Sequence, residues 1–230
     1  MPYAQVTLAQ LRSYFYEQVG GNTAFWRTDE VDRILQESVR VFNCLTGFWR
    51  GRVNLGLTVA GQHWYNVPSG LTYILRVEAD QVPLGSSSLW DLDYGQPAWE
   101  SETASASDPA PKVFAPAGVN LFALWPASFA GTESLVVDGV TPAPVLTTVG
   151  SIDLGQSELT TILNYAQHIA QFKEGGQEFE ASQLWLQDFL KDAGGRNAIL
   201  MNSSKFRNWM GLTDRKKRPI HKPEQRVGAR

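Results

Sequence analysis

A strand-like block near the middle of the chain, residues 119–144, most constrains the fold because the regions on both sides of it are patterned as helices. Within it, VNLFALWPA predicts one strand and SLVVDGV a second, separated by a turn at AGTE. Apolar side chains alternate along each strand, so each strand can bury one face of a sheet. They are Val119, Leu121, Ala123 and Trp125 in the first strand and Leu135 and Val137 in the second. A β region between helical ends predicts an α+β fold.

Two amphipathic helices are predicted before this β region. The sequence TLAQ has the form of a capping box with Thr7 as N-cap, and two glycines end the first helix. The second helix starts at a cap on Thr28 or Asp29 and ends at Gly47, with Ser38 interrupting its apolar stripe. The two stripes comprise Leu8, Leu11, Phe15 and Val19, and then Val31, Ile34, Leu35, Val41, Phe42 and Leu45. Because the connecting loop is short, the helices should pack antiparallel.

The pattern changes from helical to alternating at Trp49. Besides the two strands above, strands are predicted at residues 53–59, 64–68, 71–79 and 112–115. A turn at residues 60–62 joins the first two of these as a hairpin. Residues 85–111 are mostly irregular, and the segment SETASASDPAP has too few apolar side chains to bury itself, which predicts an exposed loop.

The last third of the chain is patterned as helix. One helix begins at a cap on Ser157 and stops at the glycine pair 175–176. Its buried stripe is Leu159, Ile162, Leu163, Ala166, Ile169 and Ala170. The next helix covers residues 178–192, and the glycine pair 194–195 ends it. It buries Phe179, Leu186, Phe189 and Leu190. A weaker helix over residues 198–210 would need a surface for Phe206, Trp209 and Met210.

These elements predict an α+β fold in which helices from the N- and C-terminal parts of the chain form a bundle with an inserted antiparallel β domain. The helical bundle is assigned to residues 1–47 and 152–210, and the β-rich domain to residues 48–151. An extended basic C-terminal arm is assigned to residues 211–230. The arm has no apolar periodicity, so we expect it to be disordered until a partner orders it.

The formal net charge of −3 conceals an uneven distribution. Residues 205–230 contain nine Lys or Arg and two acids, a net charge of +7, whereas residues 1–204 contain eleven bases and twenty-one acids, a net charge of −10. The cations of the arm are Arg215, Lys216, Lys217, Arg218, Lys222, Arg226 and Arg230. Such a tail could be passive, could bind nucleic acid, or could dock into an acidic groove of a partner protein. We favour docking on a protein, because no aromatic residue interleaves the cations to stack bases.

The sequence contains no recognisable catalytic or cofactor signature. It lacks a phosphate-binding Gly-rich loop, a dinucleotide-binding GxGxxG and a nucleophile elbow. His63, His168 and His221 share no ligand spacing with one another or with Cys44. We expect His168 to be packed or hydrogen-bonded, and Cys44 to be a small buried apolar group. We therefore predict no catalytic residue, no cofactor, no metal, and a protein that is not an enzyme.

The pair Asp91 and Asp93 is the most enzyme-like feature, since alternate carboxylates could bind a divalent cation. Spaced acids before a glycine are also ordinary turn chemistry, and no further ligands cluster with them. The single cysteine excludes an internal disulfide. With no leader pattern and no apolar run of spanning length, we expect a protein that neither carries an ordinary export signal nor enters a membrane.

The order of these segments resembles that of the head-to-tail connector (adaptor or neck) proteins of tailed bacteriophages. The resemblance covers roughly residues 5–195. It is carried by the helical sequences LAQLRSYF and TDEVDRILQESVRVFN, by ALWPA and TESLVVDGVTPAP in the β region, and by an Ile-Asp-Leu step into the helix LTTILNYAQHIAQF. These motifs are arrangements of apolar positions and include no invariant chemical group.

The resemblance implies a structural virion protein, located in the neck at the portal vertex and assembled in the host cytoplasm. Such proteins form a homo-oligomeric ring, usually a dodecamer, between the portal protein and a tail, nozzle or tail-terminator protein. Genomic DNA passes through the ring channel without specific binding, and no membrane is involved. The arm from Thr213 onward would dock on the portal. Its expected interface residues are Phe206, Trp209, Met210, Arg215, Lys216, Lys217, Arg218, Lys222, Arg226 and Arg230.

Two other functions are compatible with the sequence. The β region could be a carbohydrate- or partner-binding module of a phage tail or surface protein, with Trp64, Trp90, Trp99 and Trp125 as the binding residues. Exposed tryptophans would support this hypothesis, whereas buried ones would not. Alternatively, the protein could be a hydrolase that uses Asp91 or Asp93.

Overall fold

The computed structural model describes residues 4–21 and 24–201, with side chains from Gln5 to Arg196. In this part of the chain the protein has a mixed α+β structure, with packed helices and with antiparallel and mixed sheets. The predicted C-terminal arm and the last part of the predicted helix 198–210 lie outside the described residues.

The helices and strands alternate in blocks along the chain. The helices are α1 (Leu8–Gln18), α2 (Thr28–Thr46), α3 (Leu89–Gly95), α4 (Gln156–Glu174), α5 (Gly176–Ala181) and α6 (Gln183–Met201), with a 3-10 helix at Trp99–Ser101. The strands are β1 (Ala4–Thr7), β2 (Arg50–Leu57), β3 (Trp64–Asn66), β4 (Tyr73–Ala79), β5 (Val82–Pro83), β6 (Gly85–Ser86), β7 (Val113–Ala117), β8 (Leu121–Trp125), β9 (Ser134–Val140) and β10 (Ser151–Leu154). Six strands were predicted, but β1, β5, β6 and β10 were not.

The N-terminus of α1 forms the predicted capping box. Thr7 Oγ1 accepts a hydrogen bond from the backbone N–H of Gln10 at 3.3 Å, and Gln10 Oε1 accepts one from the backbone N–H of Thr7 at 2.9 Å. Two otherwise unpaired N–H groups are thereby satisfied. Leu8, Leu11 and Phe15 are buried as predicted.

Helix α2 differs from the prediction at its start. Its N-cap is Arg27, whose side chain makes no capping bond, so the predicted cap on Thr28 or Asp29 is wrong. Both residues lie inside the first turn, where the Asp29 carboxylate still favours the positive end of the helix dipole. The predicted end is confirmed, because Gly47 adopts the left-handed conformation with φ 57°.

The buried face of α2 differs from the prediction at Ser38, Cys44 and Leu45. Ser38 is buried and donates to the carbonyl of Ile34 at 2.7 Å, so it belongs to the stripe and does not interrupt it. Leu45 is 40% exposed and Cys44 is exposed, contrary to expectation. The helical period explains this, because the last turn of the buried stripe runs from Phe42 to Thr46 and places Cys44 and Leu45 at its flank.

Helix α4 presents the predicted stripe. Five of its six members are buried, Leu159, Ile162, Leu163, Ala166 and Ala170, and Ile169 is partly buried. The N-cap is Gly155, so the predicted cap on Ser157 is wrong, and Gly175 ends the helix as predicted.

The predicted helix 178–192 is two helices, and its predicted end is wrong. Helices α5 and α6 meet at Ser182, and α6 continues through Gly194 and Gly195 to Met201. A glycine with a positive φ commonly ends a helix, as Gly175 does with φ 69°. Neither glycine of the 194–195 pair has a positive φ, so the helix passes through both.

The helices share one apolar core that is drawn from two separated parts of the chain. Its fully buried large side chains include Phe15, Trp26, Leu35, Phe42, Leu154, Ile162 and Phe189. A small antiparallel sheet of β1 and β10 lies beside it, pairing Ala4 with Leu154 and Thr7 with Ser151. The residues of this core therefore come from segments 6–49 and 143–189.

The central strands form two four-stranded sheets. The first sheet has the order β2-β9-β4-β5 and is antiparallel, and the second has the order β3-β8-β7-β6, in which β6 and β7 are parallel. A second apolar core takes residues from both sheets, so they pack as a sandwich. It contains Tyr65, Leu71, Ile74, Val77, Ala79, Leu84, Phe114, Phe122, Leu124, Leu135 and Val137.

The predicted hairpin between residues 53–59 and 64–68 is wrong. Strand β2 pairs with β9 and strand β3 pairs with β8, so the connection between β2 and β3 crosses from one sheet to the other. The crossing is held by Glu133, which is 3% exposed. Its Oε2 accepts from Thr58 Oγ1 at 2.6 Å and also from the hydroxyl of Ser128. These bonds offset part of the cost of burying the carboxylate.

Within the described residues, no helix combines the length and the apolar character needed to cross a membrane.

Replacing Ile162 with Asp tests the shared helical core. Ile162 is fully buried, so an unpaired carboxylate there should lower the free energy of unfolding by about 3–5 kcal/mol. Urea denaturation followed by tryptophan fluorescence measures the change. Thr160→Asp, at an exposed position on the same helix, is the matched control and should change stability little. Equal stability of wild type and Ile162→Asp would contradict the assignment of this face.

Candidate interaction surfaces

The predicted arm residues Phe206, Trp209, Met210, Arg215, Lys216, Lys217, Arg218, Lys222, Arg226 and Arg230 lie outside the described residues. The structure describes the contacts of α6, the helix that precedes them. Glu158, 3% exposed in the first turn of α4, forms an ion pair with Arg196 of α6. Arg196 Nη2 also donates to Ser157 Oγ at 2.8 Å, and Thr161 Oγ1 lies 3.2 Å from Asp192 Oδ2. The part of α6 around Arg196 is therefore held against the first turn of α4.

Residues 85–111 are predicted to be mostly irregular, with residues 101–111 as an exposed loop. In the structure, the part that contains α3 and the 3-10 helix covers the outer face of the second sheet. Leu92 of α3 and Trp99 of the 3-10 helix are 5% and 3% exposed. They form a third apolar cluster with Ala115 and Ala123 of β7 and β8. Residues 101–111 are mostly exposed, as predicted. The packing of Leu92 and Trp99 was not predicted, because the buried side chains of this segment are too few and too widely spaced to show periodicity.

Two carboxylates of this segment bind indole N–H groups. Trp99 Nε1 donates to Asp93 Oδ1 at 2.8 Å, and Trp125 Nε1 donates to Glu102 Oε2 at 2.8 Å. Asp93 of the predicted acid pair therefore has a structural contact. In the described part of the chain, no group of three or more His, Cys, Asp or Glu side chains is arranged to hold a metal ion.

The four tryptophans considered as binding residues lie in different environments. Trp99 is buried and Trp125 is partly buried, whereas Trp64 is 37% exposed and makes an edge contact with Trp99 at 5.5 Å between ring centroids. Trp90 is 75% exposed. Tyr94, one helical turn further along α3, is 84% exposed. The two exposed rings are therefore neighbours on the outer side of α3.

We name the surface formed by Trp90, Tyr94, Asp91, Asp93, Glu100 and Glu102 the aromatic–acidic face. All six residues belong to α3, the 3-10 helix or the position after it, and each is exposed or partly exposed. The carboxylates of Asp93 and Glu102 each accept a hydrogen bond from an indole N–H. Lys112, the one base between residues 88 and 112, forms an ion pair with Asp108 at 2.5 Å. The face therefore carries a net negative charge around two exposed aromatic rings.

The outer face of the first sheet presents arginine side chains to solvent. Arg52, Asp138 and Arg76 are opposite one another on β2, β9 and β4, and Glu78 lies two positions along β4. Arg52 is paired with both acids, and its Nε lies 3.3 Å from Asp138 Oδ1. Arg76 Nη2 lies 2.5 Å from Glu78 Oε1 and 2.9 Å from Asp138 Oδ2.

The acids of this network lie below the bases. The side chains of Glu78 and Asp138 are 8% and 25% exposed, whereas those of Arg52 and Arg76 are 55% and 38% exposed. Arg50 is exposed two residues before Arg52. We name Arg50, Arg52 and Arg76, with the two acids beneath, the arginine face. Because the arginines are partly solvated, each pair contributes only about 0–1 kcal/mol to stability. The face therefore offers guanidinium groups to solvent.

An open depression of about 310 Å³ lies beside the aromatic–acidic face, lined by Glu102, Asp108, Lys112 and Trp125 among others. Its charged groups are engaged with one another: Lys112 with Asp108, and Glu102 with the Trp125 indole. With its charged groups paired in this way, the depression supports no catalytic assignment.

His168 is packed and hydrogen-bonded, as predicted. It is 6% exposed, its Nδ1 lies 2.9 Å from Ser182 Oγ, and its ring contacts Phe172 and Phe179. Ser182 Oγ donates to the carbonyl of Phe179 at 2.6 Å, so the histidine Nδ1–H is the donor to Ser182. Burial lowers the pKa of His168 from the ordinary value of 6.5.

Comparison of the sequence with protein-family models gives no match, and comparison with curated proteins gives none either.

Acidification tests the role of His168 at the junction of α5 and α6. The pKa of His168 is lower in the folded chain than in the unfolded chain, so the unfolded chain binds a proton first as the pH falls. The free energy of unfolding should therefore decrease as the pH drops below about 6.5. The slope attributable to one histidine is at most about 1.4 kcal/mol per pH unit. Urea midpoints between about pH 7.5 and 5.5 measure it.

The matched variant is His168→Asn, which keeps a hydrogen-bond donor toward Ser182 but has no titrating group. Its stability should depend less on pH over the same interval. Glu37 and Glu133 also have lowered pKa values. The pKa of Glu37 is lowered by its bond to Arg40. Burial raises the pKa of Glu133, but hydrogen bonds from Ser128 and Thr58 lower it by more. Their contributions are lost only below about pH 4.5, outside the interval. Identical slopes for the two proteins would contradict the role of His168.

Proposed function

We propose that this protein is a structural component of the neck of a tailed-phage virion, an adaptor that joins the portal protein to the tail. In this proposal the subunits form a ring, and DNA passes through its channel. The proposal includes the finer architecture: a helical bundle made by both parts of the chain, with the β sandwich inserted into it. The following contacts and charges support it.

The observation that carries the proposal is the junction between the helical core and the sandwich. The chain enters the sandwich after Trp49 and leaves it at Thr141, where Thr141 N–H donates to the Trp49 carbonyl at 3.0 Å. Asn43 of α2, 3% exposed, binds both passages: its Nδ2 donates to the Thr141 carbonyl at 2.8 Å, and its Oδ1 accepts from Trp49 N–H at 3.0 Å. Adjacent entry and exit are the geometry of an inserted domain.

A ring wall needs a rigid element, and the helical core supplies a candidate. Helices α2, α4 and α6 pack on one another through fully buried Phe42, Ile162 and Phe189. The sandwich, attached by adjacent passages, could then extend toward a different partner from the one that the helices contact. An adaptor requires two such separate surfaces.

The charge distribution supports a DNA channel and a docking arm. Residues 1–204 carry a net charge of −10, so a channel lined by this part of the chain would not bind phosphate groups tightly. Residues 205–230 carry +7 and continue from α6, which the Glu158–Arg196 pair holds against α4. In the proposal this segment, with the ten residues named above, docks on an acidic surface of the portal protein.

A partner-binding β module is the second candidate, and the exposure of Trp90 and Tyr94 favours it over a carbohydrate-binding one. A sugar-binding platform would need several exposed tryptophans, whereas Trp99 is buried and Trp125 is partly buried with its indole bound to Glu102. A protein partner can use two exposed rings surrounded by charge.

The decisive experiment mixes purified portal rings with the full-length protein and examines the product by electron microscopy. We expect a cap of added density that has the symmetry of the portal. Deleting residues 213–230 should abolish capture and leave the melting temperature unchanged, because the described core ends before this segment. Capture by the truncated protein would remove the role of the arm.

Two full-length variants separate electrostatic from apolar docking. Replacing Arg215, Lys216, Lys217 and Arg218 with Ser should weaken capture, as should raising the salt concentration. Replacing Phe206, Trp209 and Met210 with Ser should then have the smaller effect. Capture that is indifferent to salt and lost only in the second variant would show that apolar contacts dominate.

A further inference from the structure

The two outer faces of the β sandwich are complementary to each other. The aromatic–acidic face lies on the outside of the second sheet, and the arginine face lies on the outside of the first. The apolar core between the sheets places the two faces on opposite sides of one rigid body. One molecule therefore cannot bring its own two faces together, but two molecules can.

The charges that the two faces present to solvent are opposite in sign. Asp91, Asp93, Glu100 and Glu102 give the first face four carboxylates with no base among them. On the second face the guanidinium groups of Arg52 and Arg76 stand above the acids that they pair with. A carboxylate from another molecule can approach an arginine from the solvent side without first breaking its pair to Asp138, because guanidinium has five donors.

The aromatic rings add a second kind of complementarity. Trp90 and Tyr94 are among the most exposed large side chains of the described residues, at 75% and 84%. Exposed tryptophan and tyrosine are the residues that most often anchor protein interfaces. Arginine is the side chain that stacks best on such rings, through its planar and weakly hydrated guanidinium. The arginine face thus supplies the partner chemistry that the aromatic–acidic face needs.

We infer that the aromatic–acidic face of one copy of this chain binds the arginine face of the next copy. The contact is heterologous, because it joins two different surfaces of identical subunits. Repetition of such a contact produces a closed ring when the rotation between subunits closes, and an open filament when it does not. Closure into a ring rests on the proposed function, whereas the contact itself does not.

The first experiment measures self-association of the full-length protein at low ionic strength, by sedimentation velocity over rising concentration. Trp90→Ser combined with Tyr94→Ser should weaken association by about tenfold or more, with an unchanged melting temperature, since both rings are exposed. The matched control is Val145→Ser combined with Leu184→Ser, which are 76% and 67% exposed elsewhere on the molecule. The control should associate like wild type.

The second experiment identifies the two faces. The Trp90→Ser/Tyr94→Ser variant, labelled with nitrogen-15, has lost its aromatic anchors but keeps its arginine face. Addition of unlabelled wild type should shift the side-chain Nε–H signals of Arg52 and Arg76 and the amide signals of β2, β4 and β9. Addition of unlabelled variant should shift them about tenfold less at equal concentration. No shift with wild type at about 0.5 mM, or shifts confined to other surfaces, would overturn the inference.

The basic segment 213–230 is the competing occupant of the aromatic–acidic face. If it were the occupant, deleting it would abolish self-association as completely as the ring substitutions, and the arginine signals would not shift. That result would overturn the inference. We expect the truncated protein to associate as wild type does.

The portal assay separates this inference from the proposed function. Self-association through the two faces without capture by portal rings would leave the inference standing and refute the adaptor role. Complete caps formed on portal rings by the Trp90→Ser/Tyr94→Ser variant would leave the adaptor role standing and refute the inference.

Discussion

The side chain of Asn43 joins the two halves of this structure. It is buried at the end of α2 and hydrogen-bonds both to the chain entering the sandwich and to the chain leaving it. The left-handed Gly47 then turns the chain out of the helix, and a Cβ at that position would lie 3.1 Å from Val140 at the exit. An amide with both its groups satisfied in a buried position holds the two passages at one spacing, since loss of either bond would leave a buried polar group unpaired at a cost of about 1–3 kcal/mol. This junction therefore fixes how the chain passes between α2 and the strands at Trp49 and at Thr141.

Buried carboxylates act in the same way at three other places. Glu133 holds the crossing between the sheets through Thr58 and Ser128, and Glu158 holds the end of α6 through Arg196. Glu78 lies beneath two arginines of the first sheet. A buried carboxylate is costly unless it is paired, so each of these sites specifies one arrangement of the segments that meet there. The apolar cores supply the driving force for folding, and these polar contacts select the relative positions.

The functional proposals depend on the difference between the helical core and the β sandwich. A helical core that gathers both parts of the chain is suited to a load-bearing wall, and a sandwich attached by adjacent passages is suited to presenting surfaces. The sandwich has differently charged outer faces because one is covered by the acidic segment that contains α3 and the other is open above a layer of ion pairs. That asymmetry, more than any pocket in the described part of the chain, is the feature that an assembly protein could use.

The local elements were largely determined by the sequence. The capping box at Thr7, the apolar stripe of α4 and the strand that buries Leu135 and Val137 are set by spacing and by nearest neighbours, so the pattern alone predicts them. The charge separation between the body and residues 205–230 is likewise a property of the sequence. These features need no knowledge of which segments meet. The face of β8 was not predicted, because the sandwich core takes Phe122 and Leu124 whereas Val119 is 80% exposed.

Only the tertiary structure decided which strands pair and what the irregular segment does. Strands β2 and β3 follow one another with a good turn between them, yet each pairs elsewhere, because burying both sheet faces in one core outweighs a local hairpin. Gly194 and Gly195 do not end α6, which continues to Met201 and includes Arg196, the partner of Glu158. Trp99 is buried while Trp90 is exposed, although both stand in the same weakly patterned stretch, since burial there depends on a sheet contributed by distant residues. The spacing of residues along the chain determines the contacts between sequence neighbours. Contacts between distant segments form only when the chain folds, so the spacing does not reveal them.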